Sequence, residues 1–292
     1  GGGYIGMGVQ IDTIRRSYDS FLERAVGIGE ASAASDKSRL SQMSAMEGLC
    51  SASETGVGAA MNDLRTGLAE LVNSPADSST RTVVLNRAAA LAQRINGLDG
   101  KLGQMASDNA QRVSSEVNAL NDTLKQLADV NQKIIAADVR HTPNDLHDQR
   151  DLLISKINGY ASANAYINEN GTADLFSISG EPMVLGGEAS TFTVTADPYN
   201  SGLPQLNLKT LGRDLAMDAA ALGGGSIVGL MRFQADDLAS ARARLGQMAA
   251  AIGDVFNTVQ ANGIDGSGQP GKAMFSWADP LATSASTNDG SA

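Results

Sequence analysis

The feature that most constrains this chain is a run of apolar residues at helical spacing between residues 84 and 134. Apolar positions recur at alternating steps of four and three residues on either side of one 11-residue step, from Leu102 to Val113, and no proline interrupts them. This pattern predicts one long helix with an apolar stripe, which needs neighbouring helices to cover it. The stripe consists of Val84, Ala88, Leu91, Ile95, Leu98, Leu102, Val113, Val117, Leu120, Leu124, Leu127 and Ile134, with Asn131 in a polar gap.

Shorter apolar stripes of the same kind lie on both sides of this run. They predict further helices near residues 18–28, 57–71 and 238–259, and "NSPADSS" at residues 73–79 supplies a break with serine caps. Because these stripes can be buried only against one another, we expect an elongated antiparallel bundle. The stripes are Tyr18, Phe21, Ala25 and Ile28; Val57, Met61, Leu64, Leu68 and Leu71; and Leu238, Ala241, Leu245, Met248, Ile252, Val255 and Val259.

The segment from residue 160 to 214 alternates apolar and polar residues with a period of two, which is typical of β-strands. Asn170-Gly171 predicts a hairpin with a type I′ turn. The segment therefore predicts a small antiparallel β-domain inserted into the bundle, and "GGGS" at residues 223–226 suggests a hinge for the returning chain.

These patterns predict a mainly helical α+β fold, in which an elongated antiparallel bundle carries a small inserted antiparallel β-domain. The expected units are the first part of the bundle (1–159), the β-domain (160–221), the returning helix (222–262) and a Gly-rich loop leading into the next segment (263–292).

Composition restricts the possible functions. Among the 292 residues the formal net charge is −10, which disfavours nucleic-acid binding through a basic surface. The sequence contains no stretch of 18 apolar residues, so it predicts no membrane-spanning helix. The first residues do not resemble a cleavable signal peptide. Both ends look cut, so we expect a fragment. One cysteine, Cys50, excludes an internal disulfide.

The segment "NDLHDQRDLLISKIN" at residues 144–158 concentrates charged and polar groups. Asp145, His147, Asp148 and Asp151 could form a metal or acid–base site, but His147 points about 100° away from Asp148 on a helix. Acids near a helix N-terminus are also favoured by the helix dipole. We therefore favour a structural ion-pair and capping role, with no catalytic, cofactor-binding or metal-binding residue in the chain.

The residues around this segment carry the signals of a helix start and a helix stop. Thr142 can cap the first turn, and Pro143 suits the first helical position. Gly159 fits a C-terminal stop. We therefore expect one helix between these signals.

Other candidates are weaker still. Cys50 shares a helical spacing with Met43 and Met46, which favours a buried structural thiol over a nucleophile. "GIDGSGQPG" at 263–271 has too few carboxylates for an EF-hand loop and favours a Gly-rich turn. "GGGYIGMG" lacks the strand and helix of a dinucleotide-binding motif.

The residues around Asp148 resemble the "NxLLDQRDxLxxxLx" segment of the FlgK family of flagellar hook-associated proteins. The matching positions are Asn144, Leu146, Asp148, Gln149, Arg150, Asp151 and Leu153. Further segments resemble the same family in the same order, including Arg16, Tyr18, Asp19 and Phe21 near the start, and Gly263, Asp265, Gly268 and Gly271 near the end. Arg232 followed by Phe233 departs from the family pattern.

The resemblance implies a structural subunit of the bacterial flagellum, located outside the cell at the junction between hook and filament. It implies type III export without a cleavable signal, and the hook protein and hook-associated protein 3 as partners. It also implies ring self-association of the full-length protein and an export chaperone bound by a missing C-terminal part, with no cofactor. Such proteins have terminal coiled-coil segments that are absent here, so we expect this fragment to be monomeric.

Three competing interpretations stay open. The heptads alone would also fit a signalling or scaffold coiled coil. Hook-associated protein 3 or flagellin share the layered design, and a metal-dependent hydrolase could use Asp145, His147 and Asp148.

Overall fold

The computed structural model describes residues 20–51, 56–137, 144–198, 200 and 202–278. The prediction of one long helix is confirmed, because α3 is a single helix of 59 residues and so about 88 Å long. The helices are α1 (Ser20–Cys50), α2 (Val57–Asn73), α3 (Ser78–Ala136), α4 (Asn144–Tyr160), α5 (Ala219–Leu222), α6 (Ser226–Arg232) and α7 (Ala239–Ala261), with a π-helical turn (Phe233–Leu238) joining α6 to α7.

Helix α3 is the axis of the molecule. Its apolar stripe is buried along most of its length, so the chain covers it internally. Helix α2 packs on its first half, and α6 and α7 run antiparallel to it, since Ser226 contacts Glu116 whereas Arg242 pairs with Asp99. The cap differs from the prediction: the first turn is capped by Asp77, which accepts the Ser79 N–H at 3.0 Å, and not by a serine.

The β-strands form two antiparallel sheets of four and three strands, ordered β1-β2-β3-β4 and β5-β6-β7. They are β1 (Ala163–Ile167), β2 (Ala173–Ser177), β3 (Pro182–Leu185), β4 (Glu188–Ala189), β5 (Thr191–Ala196), β6 (Pro204–Thr210) and β7 (Arg213–Met217). Buried residues of both sheets share one apolar core with α3, α4 and α6. The mainly helical α+β fold is thus confirmed, and the sheets lie directly on the bundle.

The predicted hairpin at Asn170-Gly171 is confirmed, but the prediction of a type I′ turn is wrong. A type I′ turn needs positive φ at both central residues. Here only Gly171 has it (φ 87°), and its N–H donates to the Asn168 carbonyl at 2.8 Å. The two-residue turn with positive φ at both positions is Leu211-Gly212, between β6 and β7. The sequence does not predict this turn, because leucine is not typical of a turn position with positive φ.

The buried face of α1 also differs from the predicted stripe. Tyr18 lies outside the described residues, and Ala25 and Ile28 are exposed. The small residues Ala31 and Ser35 are instead buried against α6. The two backbones approach so closely that a Cβ at Gly229 would overlap the Ser35 carbonyl. Large apolar side chains therefore cannot occupy this contact.

Helix α7 follows its predicted stripe only in part. Leu245 is buried and Ile252 packs on α2 and α3, but Val255 and Val259 are exposed. Phe256 packs inward in their place, because the buried face of a straight helix drifts away from a strict heptad.

The hinge predicted at residues 223–226 is wrong. Gly224 and Gly225 are buried, and the Gly225 N–H donates to the Ala31 carbonyl at 2.7 Å. A Cβ at Gly225 would overlap the Tyr160 carbonyl. These glycines permit close packing, so the segment is a fixed junction between α1, α4 and α6.

Candidate functional site

Helix α4 presents most of its polar residues to solvent. Asn144, Asp145, Asp148 and Gln149 are exposed, whereas Arg150 is only 5% exposed. Leu146 is half-buried and packs on the main core. The predicted cap at Thr142 and Pro143 lies outside the described residues. Gly159 lies inside the last turn, since the helix ends at Tyr160, so it is not the predicted stop signal.

The Arg150 guanidinium joins α4 to the β1–β2 hairpin. One terminal nitrogen donates to the Gly171 carbonyl, and Nε and the other terminal nitrogen donate to Asp151 Oδ1 at 2.8 and 2.7 Å. His147 Nδ1 lies 3.4 Å from Arg150 Nη1. A Cβ at Gly171 would overlap the His147 ring, so the two residues are in close contact, and the positive φ of Gly171 favours glycine here. The buried charge is thus held by directed hydrogen bonds.

The other end of α4 fixes β1 and α1. Asn158 is buried, and its Oδ1 accepts the Ala163 N–H at 2.9 Å. Its side chain packs where a Cβ of Gly27 would lie. One turn earlier, Ser155 donates to Glu30 of α1 at 3.0 Å. Both ends of the "DQRD" helix therefore connect separate layers of the fold.

These contacts favour an anchor over a reaction centre. The His147 ring packs against Gly171 of the hairpin, and its Nδ1 lies beside Arg150, so the imidazole is part of the contact between α4 and the hairpin. Among the described residues, no group of three or more His, Cys, Asp or Glu side chains is arranged to hold a metal ion. Nor does any helix of those residues have the length and hydropathy needed to span a bilayer.

Two asparagines of α3 that sequence reasoning did not assign connect this helix to both sheets. Asn121 Nδ2 donates to the Phe192 carbonyl at 2.7 Å, and Asn121 Oδ1 accepts the Phe192 N–H at 2.8 Å. Asn131 makes the same pair of bonds with Ala173 and also donates to the Gly186 carbonyl. Each amide replaces a missing neighbouring strand. The available signal was the polar Asn131 in the apolar stripe.

The remaining candidates have ordinary structural roles. The prediction that Cys50 is buried is wrong, since it is exposed at the end of α1. In the Gly-rich loop, Asp265 accepts the N–H groups of Gln269 and Ser267, which lowers the pKa of its carboxyl. This satisfies the turn internally, as expected for a Gly-rich turn.

One further ion pair joins α1 to the π-helical turn. Arg39 donates to Asp237 through two nitrogens at 2.7 and 2.9 Å, and this hydrogen bonding raises the pKa of Arg39.

Comparison with known proteins assigns the family. Residues 43–275 match the family model described as the flagellar hook-associated protein FlgK helical domain. Flagellar hook-associated protein 1 of Salmonella typhimurium is 28% identical over 297 residues, covering 98% of this chain and 53% of the relative. The Escherichia coli protein is 26% identical, covering 99% and 54%. The chain therefore spans about half the length of these curated relatives.

A comparison with solved structures agrees with the sequence matches. The flagellar hook junction protein FlgK from Burkholderia pseudomallei matches with a TM-score of 0.78 and 25% identity, over 86% of this chain and 46% of that one. The sequence match and the fold match agree, and the chain belongs to the FlgK family of flagellar hook-associated proteins.

Proposed function

We propose that this chain is the helical portion of a structural subunit at the junction between hook and filament of a bacterial flagellum. The observation that carries the proposal is the match of residues 43–275 to the FlgK helical domain, in a chain whose fold resembles the flagellar hook junction protein. Another axial flagellar protein, such as hook-associated protein 3 or flagellin, is the alternative.

The role of this portion is mechanical. A subunit between two tubes of different stiffness has to transmit force along its length. Helix α3 suits this because side chains of the same chain cover its apolar stripe. The polar contacts of Arg150, Asn121 and Asn131 keep the sheets attached to the rod. We expect no catalytic step.

The proposed partners belong to the flagellum. They are the hook protein on one side, hook-associated protein 3 on the other, and further copies of the full-length protein in a ring. An export chaperone would bind a C-terminal part outside these residues. The full-length protein would leave the cell through the flagellar type III channel without a cleavable signal.

The location can be tested by electron microscopy. An epitope inserted between Leu211 and Gly212, where the turn is exposed, is expressed within the full-length protein in its own bacterium. Immunogold particles on isolated flagella are expected at the boundary of hook and filament. Labelling along the whole filament or along the hook would assign another axial role, and absence from flagella would overturn the proposal.

Two measurements distinguish this function from that of a signalling coiled coil and from that of a hydrolase. The chain of 292 residues is expected to sediment as a monomer, because its long stripe is covered internally, whereas a signalling coiled coil would dimerise. Asp148→Asn is expected to leave flagella and swimming unchanged. A metal-dependent hydrolase using Asp145, His147 and Asp148 would instead lose its activity.

A further inference from the structure

All three glycines of α3 lie within two turns near the middle of the helix. They are Gly97, Gly100 and Gly103, three residues apart, and a Cβ at any of them would meet nothing within 4 Å. Packing therefore does not require glycine at these positions. Since glycine is a poor helix former, this part of α3 is weaker than it needs to be.

The helices beside this segment are interrupted at the same level. Helix α1 ends at Cys50 and α2 begins at Val57, and both ends border a cavity of about 530 Å³ that Gly97 also lines. No helix of that layer crosses the level continuously among the described residues.

The third layer is also irregular here. Arg242 pairs with Asp99 at 2.9 Å, which places the start of α7 beside the glycines. The π-helical turn immediately precedes α7 and lies between the levels of Asn109, which donates to Gln234, and Asp99, so it adjoins the upper end of the glycine segment. Gly246 of α7 likewise has open space around it. Glycines and π-helical turns are common causes of helix bending.

The smallest of the three clusters of buried apolar residues lies at this level. A small cluster of Leu102, Phe233, Leu238 and Leu245 separates the main core around the sheets from the cluster beneath α2. The weak backbone therefore coincides with the smallest cluster of buried side chains.

We propose that residues 97–103 of α3, with the π-helical turn and Gly246, form a built-in bending hinge between an upper body and a lower body. The upper body contains the sheets, α1, α4 and α6, and the lower body contains α2, the first part of α3 and most of α7. The hinge is a property of this fold and does not depend on which proteins the chain assembles with.

Distances between spin labels test the hinge directly. Leu40 and Leu85 are exposed, on α1 above the hinge and on α3 below it. Both are changed to cysteine for labelling in a Cys50→Ser background, since Cys50 is exposed and would also react. Residues 85 and 112 of α3, the latter near the level of Leu40, are separated by roughly 40 Å of helical rise, which is suitable for double electron–electron resonance. A reference pair, Leu40 with the exposed Leu152 of α4, lies within the upper body.

The hinge variant is Gly97→Ala/Gly100→Ala. The matched control is Gly29→Ala/Gly159→Ala, which changes two helical glycines that also have open space but lie far from the hinge. We expect a broader distance distribution for the Leu40–Leu85 pair than for the reference pair. The hinge variant should narrow it towards the reference width, and the control should leave it unchanged.

Hydrogen exchange provides a second readout on the same variants. Amides of residues 98–107 are expected to exchange faster than those elsewhere in α3, and the hinge variant should slow them by roughly tenfold or more. The proposal is overturned if the parent distribution is already as narrow as the reference. It is equally overturned if the hinge and control variants have the same effect on width and exchange.

Discussion

Asn131 and Ala173 exchange two hydrogen bonds across the boundary between α3 and the first sheet. Asn131 Nδ2 donates to the Ala173 carbonyl at 2.8 Å, and the Ala173 N–H donates to Asn131 Oδ1 at 2.9 Å. Both residues are fully buried. A side-chain amide on a helix thereby satisfies the backbone of a strand that lacks a neighbour at this point.

This pair of hydrogen bonds predicts that making the stripe of α3 more apolar lowers the stability of the folded protein. Asn131→Leu completes the stripe with a side chain of similar size but leaves the N–H and carbonyl of Ala173 without these bonds. We expect a loss of about 3 kcal/mol in the free energy of unfolding, measured by urea denaturation. Asn118→Ala, at an exposed position of the same helix, should change it by less than about 0.5 kcal/mol. Equal or greater stability of Asn131→Leu would show that the amide does not matter.

The guanidinium of Arg150 should not be replaceable by an ammonium group. Lysine keeps the charge but lacks the planar group whose separate nitrogens reach Gly171 and Asp151. Arg150→Lys is expected to lower the free energy of unfolding by about 2 to 4 kcal/mol, because a buried charge loses partners. The exposed Arg112→Lys serves as the control and should be close to neutral. If both variants unfold at the same urea concentration, Arg150 is not the anchor described here.

The turn at Leu211 should be improvable. Its φ of 47° is unfavourable for leucine, and the side chain is 71% exposed, so little packing is lost on substitution. Leu211→Asn creates the Asn-Gly pair typical of type I′ turns and should raise the free energy of unfolding by about 1 kcal/mol. Leu211→Val should lower it, since a β-branched residue tolerates this backbone poorly. If urea denaturation shows Leu211→Val to be more stable than Leu211→Asn, the turn assignment is contradicted.

Asp77 gives the start of α3 a dependence on pH. Its hydrogen bonds with the Thr80 hydroxyl and the Ser79 N–H hold the pKa of its carboxyl below the ordinary value of 3.8. A lowered pKa in the folded state adds stability that is complete above the ordinary pKa and is lost as the pH falls through the lowered one.

Urea denaturation of the parent and of Asp77→Ala checks this expectation. The parent should be more stable at pH 7, and the difference should shrink at about pH 2.5. Asp77→Asn, which can still cap but does not titrate in this range, should show a difference from Asp77→Ala that does not vary between these pH values. If the difference in stability between the parent and Asp77→Ala is also the same at both pH values, the Asp77 carboxylate is not the source of that difference.

Local patterns in the sequence determined the long helix α3, the stripe of α2, the presence of strands and the family resemblance carried by residues around Asp148. These features follow from the spacing of neighbouring residues, and spacing is a property of the chain alone. The same reasoning placed the charged groups of α4 in a structural role but did not find the carbonyl of Gly171 as the partner of Arg150.

Tertiary structure decided the rest, because burial depends on which distant segments meet. The α1 face that packs on α6 is chosen by the closeness of the two backbones at Ser35 and Gly229, so small residues are buried there and Ile28 is exposed. The glycines at 224 and 225 are locked by Ala31 and Tyr160, which are distant in sequence, whereas those at 97 and 100 face open space. Glycine looks the same in all these places, and only its surroundings separate a fixed contact from a point of bending.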